Sequence, residues 1–215
     1  MLAGIFLLLI LLLANHCLKL FMPFSTAFWV SRIYFWVVLL LMAFYVIKIE
    51  KQKFLLYEEQ KYPLGKALLM AFLVVIISIL GTEILNFSLK FFGLSEETSQ
   101  VTKTVYSFFR ENYLLLIFTC ITAGVTEELL FRGYLQTRVE KLFGNSWVGI
   151  LISAFAFGIV HAGWNNILQV IGTFWMGIVF AFFYYKYRSI KILILLHIFY
   201  DLITTNIHLF LGQYK

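Results

Sequence analysis

A chain of 215 residues that is 62% hydrophobic and only 13% charged departs from soluble domains, which carry roughly 45–50% apolar and about 25% charged residues. A water-soluble fold of this length cannot hide so much apolar surface, so lipid is the expected solvent. The net charge of +6 does not point to nucleic acid, because the 17 Lys and Arg residues fall between hydrophobic runs, as the positive-inside rule produces, and not along one stripe.

The expected fold is all-α, a polytopic transmembrane bundle of about seven spans forming a single domain over 1–215, since no Pro/Gly/Ser-rich linker interrupts the chain. The first apolar run, 2–18, lacks a basic leading region and a small-residue cleavage site, and reads as a span. Runs 27–47 and 65–89 follow, separated by a Lys-rich amphipathic stretch at 48–66. The polar stretch from Gly93 to Glu111 reads as a surface loop or an interfacial helix. Runs 112–137, 147–162, 167–186 and 190–211 complete the set, against the ~20 residues that a ~30 Å hydrocarbon core requires. The run at 147–162 is short and ends in Gly163, Trp164, Asn165 and Asn166. It is expected to stop inside the protein, where irregular backbone is tolerated only against other protein or a wet cavity. Cys17 and Cys120 provide no disulfide framework.

Charge sets the expected orientation. Lys48, Lys51, Lys53, Lys61, Lys66, Arg138, Lys141, Lys186, Arg188 and Lys191 fall on one side, and Lys19, Arg32, Lys90, Lys103, Arg110 and Lys215 on the other, ten against six. The first set marks the cytoplasmic side, with the N-terminus inside, in a plasma (cytoplasmic) membrane.

Within the spans lie Glu83, Glu127, Glu128, Arg132, His161, His197, Asp201 and His208. Each such group costs about 2.5–3.5 kcal/mol at a helix centre on insertion scales and calls for a reason. Glu128 and Arg132 are four apart with the acid first, the favourable order for a pair on one helix face. Glu127 is turned by ~100° from Glu128 and cannot share that pairing comfortably. Glu127, His161 and His197 lie roughly 22, 22 and 12 Å into their helices at 1.5 Å per residue, which allows a meeting between the midplane and the cytoplasmic third. His197 and Asp201 are four apart and share a face, and His161 and Asn165 repeat that spacing. The plainer readings are a buried ion pair for Glu128 with Arg132 and a local hydrogen bond for His197 with Asp201. Glu83, Asn86, His208 and His16 are given no catalytic role.

Three segments together resemble the CAAX-protease and bacteriocin-processing (Abi) family of intramembrane proteases. Two glutamates followed after three residues by arginine correspond to Glu127, Glu128 and Arg132; Phe, three residues, His to Phe157 and His161; and His, three residues, then a polar residue to His197 and Asp201. The motifs span about 124–201, and a catalytic helical core is expected at 112–211. The resemblance implies that Glu127 and His161 position and deprotonate a water, that Glu128 and Arg132 hold the first glutamate, and that His197 with position 201 stabilises the oxyanion. The chemistry is sound on its own terms, since peptide hydrolysis needs a base, an oxyanion donor and a dry site. The family commonly carries Asn where this chain has Asp201. An ionised carboxylate cannot donate to an oxyanion, so Asp201 is expected to orient His197, which is left as the donor.

The family is often described as metalloproteases. Glu127, His161 and His197 would make a His₂Glu set for one divalent ion such as zinc, although the contiguous His-Glu-x-x-His signature is absent. The same residues serve metal-free catalysis, and that is the reading preferred. Expected partners are membrane lipids and a membrane-associated or lipidated peptide or protein substrate, with no nucleic acid. The competing functions are a proton-coupled transporter, which would favour inverted repeats that this sequence lacks, and a non-proteolytic scaffold or bacteriocin-immunity protein of the same fold.

Overall fold

The computed structural model describes residues 1–19, 21–94, 99–164 and 166–211, apart from the side chains of His16 and Lys19. Among these residues there is no strand. The helices are α1 (Leu2–Lys19), α2 (Phe24–Tyr45, extended as a π-helix over Val46–Glu50), α3 (Leu64–Phe91), α4 (Gln100–Glu111), α5 (Tyr113–Glu127), α6 (Thr137–Phe143), α7 (Ser146–Val160), α8 (Ile167–Tyr187) and α9 (Ile190–Leu211). Glu128–Gln136 joins α5 to α6 as a continuous π-helix, and Ala162–Trp164 forms a 3₁₀ turn after α7.

Six helical stretches are long and apolar enough to cross a membrane, while the apolar part of the first helix, Leu2–Asn15, is shorter. Asn15, His16 and Lys19 cut that run short. The helix nevertheless lies antiparallel along α2. The Tyr34 hydroxyl donates to the Leu11 carbonyl at 2.9 Å, and Asn15 Nδ2 donates to Ser31 Oγ at 3.4 Å.

Local chemistry starts and stops these helices. Pro23 and Pro63 stand at the N-caps of α2 and α3, where a missing N–H costs nothing. Asn112, Asn145 and Asn166 cap α5, α7 and α8, each accepting a backbone N–H of the first turn through its side-chain oxygen. Gly144 ends α6 at φ +64°, the left-handed conformation that glycine adopts without strain.

Polar contacts gather at two opposite ends. At one, the Met1 amino group lies 3.3 Å from Glu50 Oε1, and Arg138 bonds Glu50 Oε2 and the Lys53 carbonyl. Tyr57 donates to Glu140, Ser189 Oγ donates to Glu59 at 2.7 Å, and Tyr62 donates to the Tyr187 carbonyl. The 51–63 connection, expected to be amphipathic, is an irregular strap across this end. At the other end α4 lies within Gly93–Glu111, the stretch read as a surface loop or an interfacial helix. Ser99 accepts the Thr102 N–H as its N-cap and donates to the Trp164 carbonyl at 2.6 Å, so α4 covers the break between α7 and α8. Ser95 to Thr98 lie outside the described residues.

The helix running Tyr113–Phe143 is the centre of the bundle: 67% of its apolar window is buried, against 17% for α3, which faces mostly outward. Large apolar side chains such as Leu40, Phe72, Phe87 and Phe155 are exposed around the outside. In lipid that exposure carries no hydrophobic penalty.

Candidate active site

A cavity of about 860 Å³ occupies the half of the bundle nearer α4. Glu127, His161, His197 and Asp201 all line it. They come from α5, the end of α7 and α9, and helix-packing geometry brings them together. At Gly124, one turn before Glu128, a Cβ would lie 2.5 Å from Ile198 Cγ1 and 3.2 Å from the Ile194 carbonyl oxygen. The missing side chain lets α5 and α9 approach closely, and His197 sits on that contact. Gly158 plays the same part between α7 and α8, where a Cβ would lie 3.0 Å from the Val170 carbonyl oxygen.

The two glutamates separate at the start of the π-helical stretch. Glu128 is fully buried; its Oε1 accepts from Arg132 Nη1 at 2.7 Å and from His197 Nδ1 at 2.6 Å. Glu127 is 6% exposed, faces the cavity and makes no hydrogen bond to another described residue. π-helical turns inside α-helices occur often at functional sites. Here the turn begins at the residue where one acid is assigned to the protein and its neighbour to the cavity.

Arg132 is enclosed behind this pair. Its guanidinium lies 4.4 Å from the Phe157 ring centroid and 5.6 Å from that of Phe180, and Nη2 reaches the Gly177 carbonyl at 3.5 Å. Phe157, the aromatic residue of the second motif, also stands 4.7 Å from the His161 ring and 6.2 Å from the His197 ring, centroid to centroid. One fully buried ring thus packs on the arginine and on both histidines, with the cation on its electron-rich face.

The ring nitrogens have definite partners. His161 Nδ1 lies 2.8 Å from the Phe157 carbonyl oxygen. A carbonyl only accepts, so Nδ1 carries the hydrogen, and in the neutral ring Nε2 keeps its lone pair. His197 Nδ1 meets Glu128 Oε1, and its Nε2 lies 3.5 Å from Asp201 Oδ2. Both nitrogens face carboxylate oxygens and are placed to donate.

This differs from the sequence expectation in several ways. The partner of Glu128 is His197 as well as Arg132, a contact between helices that spacing along one helix cannot show. The cavity extends from Glu127 and His197 toward α4, away from the Lys-rich strap. Its rim includes Leu13 and Ile159, 61% and 44% exposed on the outer apolar surface. His208, given no catalytic role above, is half-buried, lines the cavity and lies against Tyr106. Glu83 and Asn86 of α3 also line it, so the cavity walls reach beyond 112–211. Asn165 lies outside the described residues. Arg32, counted above among the charges flanking the spans, stands inside α2 and faces the cavity. Its position five residues into an apolar run was the signal.

Among the described residues no three His, Cys, Asp or Glu side chains form a group that could hold a metal ion. The reason is visible at His197, whose two nitrogens are directed at Glu128 and Asp201.

Residues 109–203 match the family model of type II CAAX prenyl endopeptidase Rce1-like proteins. No curated protein and no solved structure matches the chain. The matched segment contains all three motifs and every helix that contributes Glu127, His161 and His197. Through that segment, somewhat under half of its length, this all-α integral membrane protein is similar to the CAAX-protease family.

Proposed function

We propose that the protein is an intramembrane endopeptidase that hydrolyses a peptide bond of a membrane-associated or lipidated substrate with a glutamate-activated water. The family implies a membrane protease. The observation that carries the finer reading is Glu127: a carboxylate buried in the bundle, without a hydrogen bond to another described residue, facing a cavity that two histidines also line.

In this reading a water lies between Glu127 and His161 Nε2. Glu127 takes its proton, and the hydroxide oxygen adds to the substrate carbonyl carbon. The carbonyl oxygen becomes an oxyanion, which accepts from His197 Nε2–H. Asp201 Oδ2, 3.5 Å from the same nitrogen, yields that hydrogen to the oxyanion, while Glu128 holds the ring at its inner nitrogen. As the tetrahedral centre collapses, the carbon–nitrogen bond breaks and Glu127 returns its proton to the leaving amine. Preorganised donors aimed at developing charge in a water-poor site contribute the largest share of such catalysis. No step is routed through a metal.

The test is cleavage of membrane-tethered peptides by the purified protein in lipid nanodiscs, against Glu127→Gln. Loss of a general base typically costs 10²–10⁴-fold. Equal cleavage by both proteins would remove the reading.

A further inference from the structure

Three arginines stand inside the bundle, and two are paired with carboxylates. Arg132 is bonded to Glu128 and held between Phe157 and Phe180. Arg138 is bonded to Glu50 and to the Lys53 and Phe54 carbonyls, over the Tyr134 ring. Arg32 differs. Its Nε is buried without a hydrogen-bond partner, as is that of Arg132, but Arg32 has no carboxylate to compensate for it among the described residues. Its guanidinium rests 5.1 Å from the Phe28 ring centroid. Among the described residues no carboxylate lies within 4.0 Å of it. Glu127 and Asp201 are nevertheless within electrostatic reach, across the same cavity.

A cation left without a counter-ion inside a membrane bundle is costly, and such residues mark ligand or substrate paths. Phe28 supports the flat face of the guanidinium and contributes no charge. The donors left over form the planar fork that suits a carboxylate. Among the described residues Glu127 and Asp201 stay outside bonding range, which leaves the guanidinium open to an anion that enters the cavity.

Resting on the protease reading, we propose that Arg32 binds a carboxylate of the substrate peptide and so sets which peptides are held against Glu127. Two groups have this chemistry, the free C-terminal carboxylate and an acidic side chain. A carboxylate at Arg32 would fix the peptide from the α2 side of the cavity that His161 also lines.

The test measures binding, so it stands apart from cleavage. The full chain carrying Glu127→Gln, in nanodiscs, is titrated with three dansylated apolar tetrapeptides: one with a free C-terminal carboxylate, its C-terminal amide, and an amide with one internal glutamate. Carboxylate-dependent tightening of roughly 10- to 100-fold is expected, lost on adding Arg32→Gln and partly kept by Arg32→Lys. Tightening of the free acid alone identifies the C-terminus as the ligand, and tightening of the internal glutamate alone identifies a side chain. Equal binding of all three peptides, no binding by any, or a preference that survives Arg32→Gln in folded protein overturns the proposal. If Arg32→Gln does not fold, an Arg32→Lys protein with undiminished preference in high salt also overturns it. Failure of the protease reading would appear separately, as absent cleavage by the Glu127 protein.

Discussion

His197 donates from Nδ1 to Glu128 Oε1 at 2.6 Å, across the contact between α9 and α5. The same oxygen accepts from Arg132 at 2.7 Å. The second glutamate of the first motif is therefore a hinge between the buried arginine and the histidine of the third, and of the two adjacent acids Glu127 is the one on the cavity wall. The two acids, adjacent in sequence, should respond differently to substitution.

Arg132→Ala should damage the fold as well as activity. It strands a fully buried carboxylate, and breaking a buried ion pair from one side costs about 3–5 kcal/mol. Glu127→Gln keeps size and polarity at a cavity-facing position and should shift the unfolding midpoint little while removing cleavage. Thermal unfolding in detergent with parallel activity assays checks both. Equal destabilisation by the two changes would give Glu127 a structural role.

Gly124→Ala should reduce stability by about 1–3 kcal/mol through overpacking against Ile198 and the Ile194 carbonyl. It should also reduce activity, because His197 moves with α9. Gly65, with nothing within 4 Å of a built Cβ, is the control. Similar behaviour of the two alanine variants in unfolding and cleavage would mean that the close approach at Gly124 is unimportant.

Cysteines placed at positions 53 and 188 should label from one side of the membrane and one at position 110 from the other. The strap and the α8–α9 turn meet at one end through Tyr62 with Tyr187 and Gln60 with Arg188, whereas α4 lies at the opposite end. Positive-inside asymmetry assigns 53 and 188 to the cytoplasm. Labelling of 53 and 188 from different sides would break the bundle geometry; reversed labelling of all three would overturn only the orientation.

Cleavage should survive incubation with a strong chelator such as 1,10-phenanthroline, because both His197 nitrogens are directed at carboxylates. Activity lost to the chelator and restored by zinc would require His197 to release Asp201 or Glu128 and would replace the metal-free route.

The strap should loosen in alkali. Burial, then the hydrogen bond to Glu140, pushes the Tyr57 phenol above its ordinary value of about 10. The folded-state value is raised, so this contact contributes fully below about pH 10. Its contribution is lost as pH rises further, where the unfolded chain ionises first. Unfolding midpoints of the wild type should therefore decline above about pH 10 more steeply than those of Tyr57→Phe. Parallel curves would show that this contact carries no pH dependence.

The sequence by itself determined that the chain is a membrane-embedded helical bundle, and which groups needed explanation. Lipid imposes both results: a span must be apolar over about twenty residues, so Glu127, Glu128, Arg132, His161, His197 and Asp201 stand out within their runs. The break after His161 was legible for the same reason, as was a helix within Gly93–Glu111. The spacing of Glu128 and Arg132 already set the paired acid apart from Glu127, whereas the second partner of Glu128 was decided only by tertiary structure. The π-helical turn at Glu128 changes the rotation of everything after it, and the partner of Glu128 comes from a helix some seventy positions away. Spacing along one helix predicts neighbours on that helix, whereas convergence depends on how helices rotate and how closely they approach, as Gly124 permits. Arg32 illustrates the limit: its charge was counted as a flank, and only the packing of α2 around the cavity shows that it points inward.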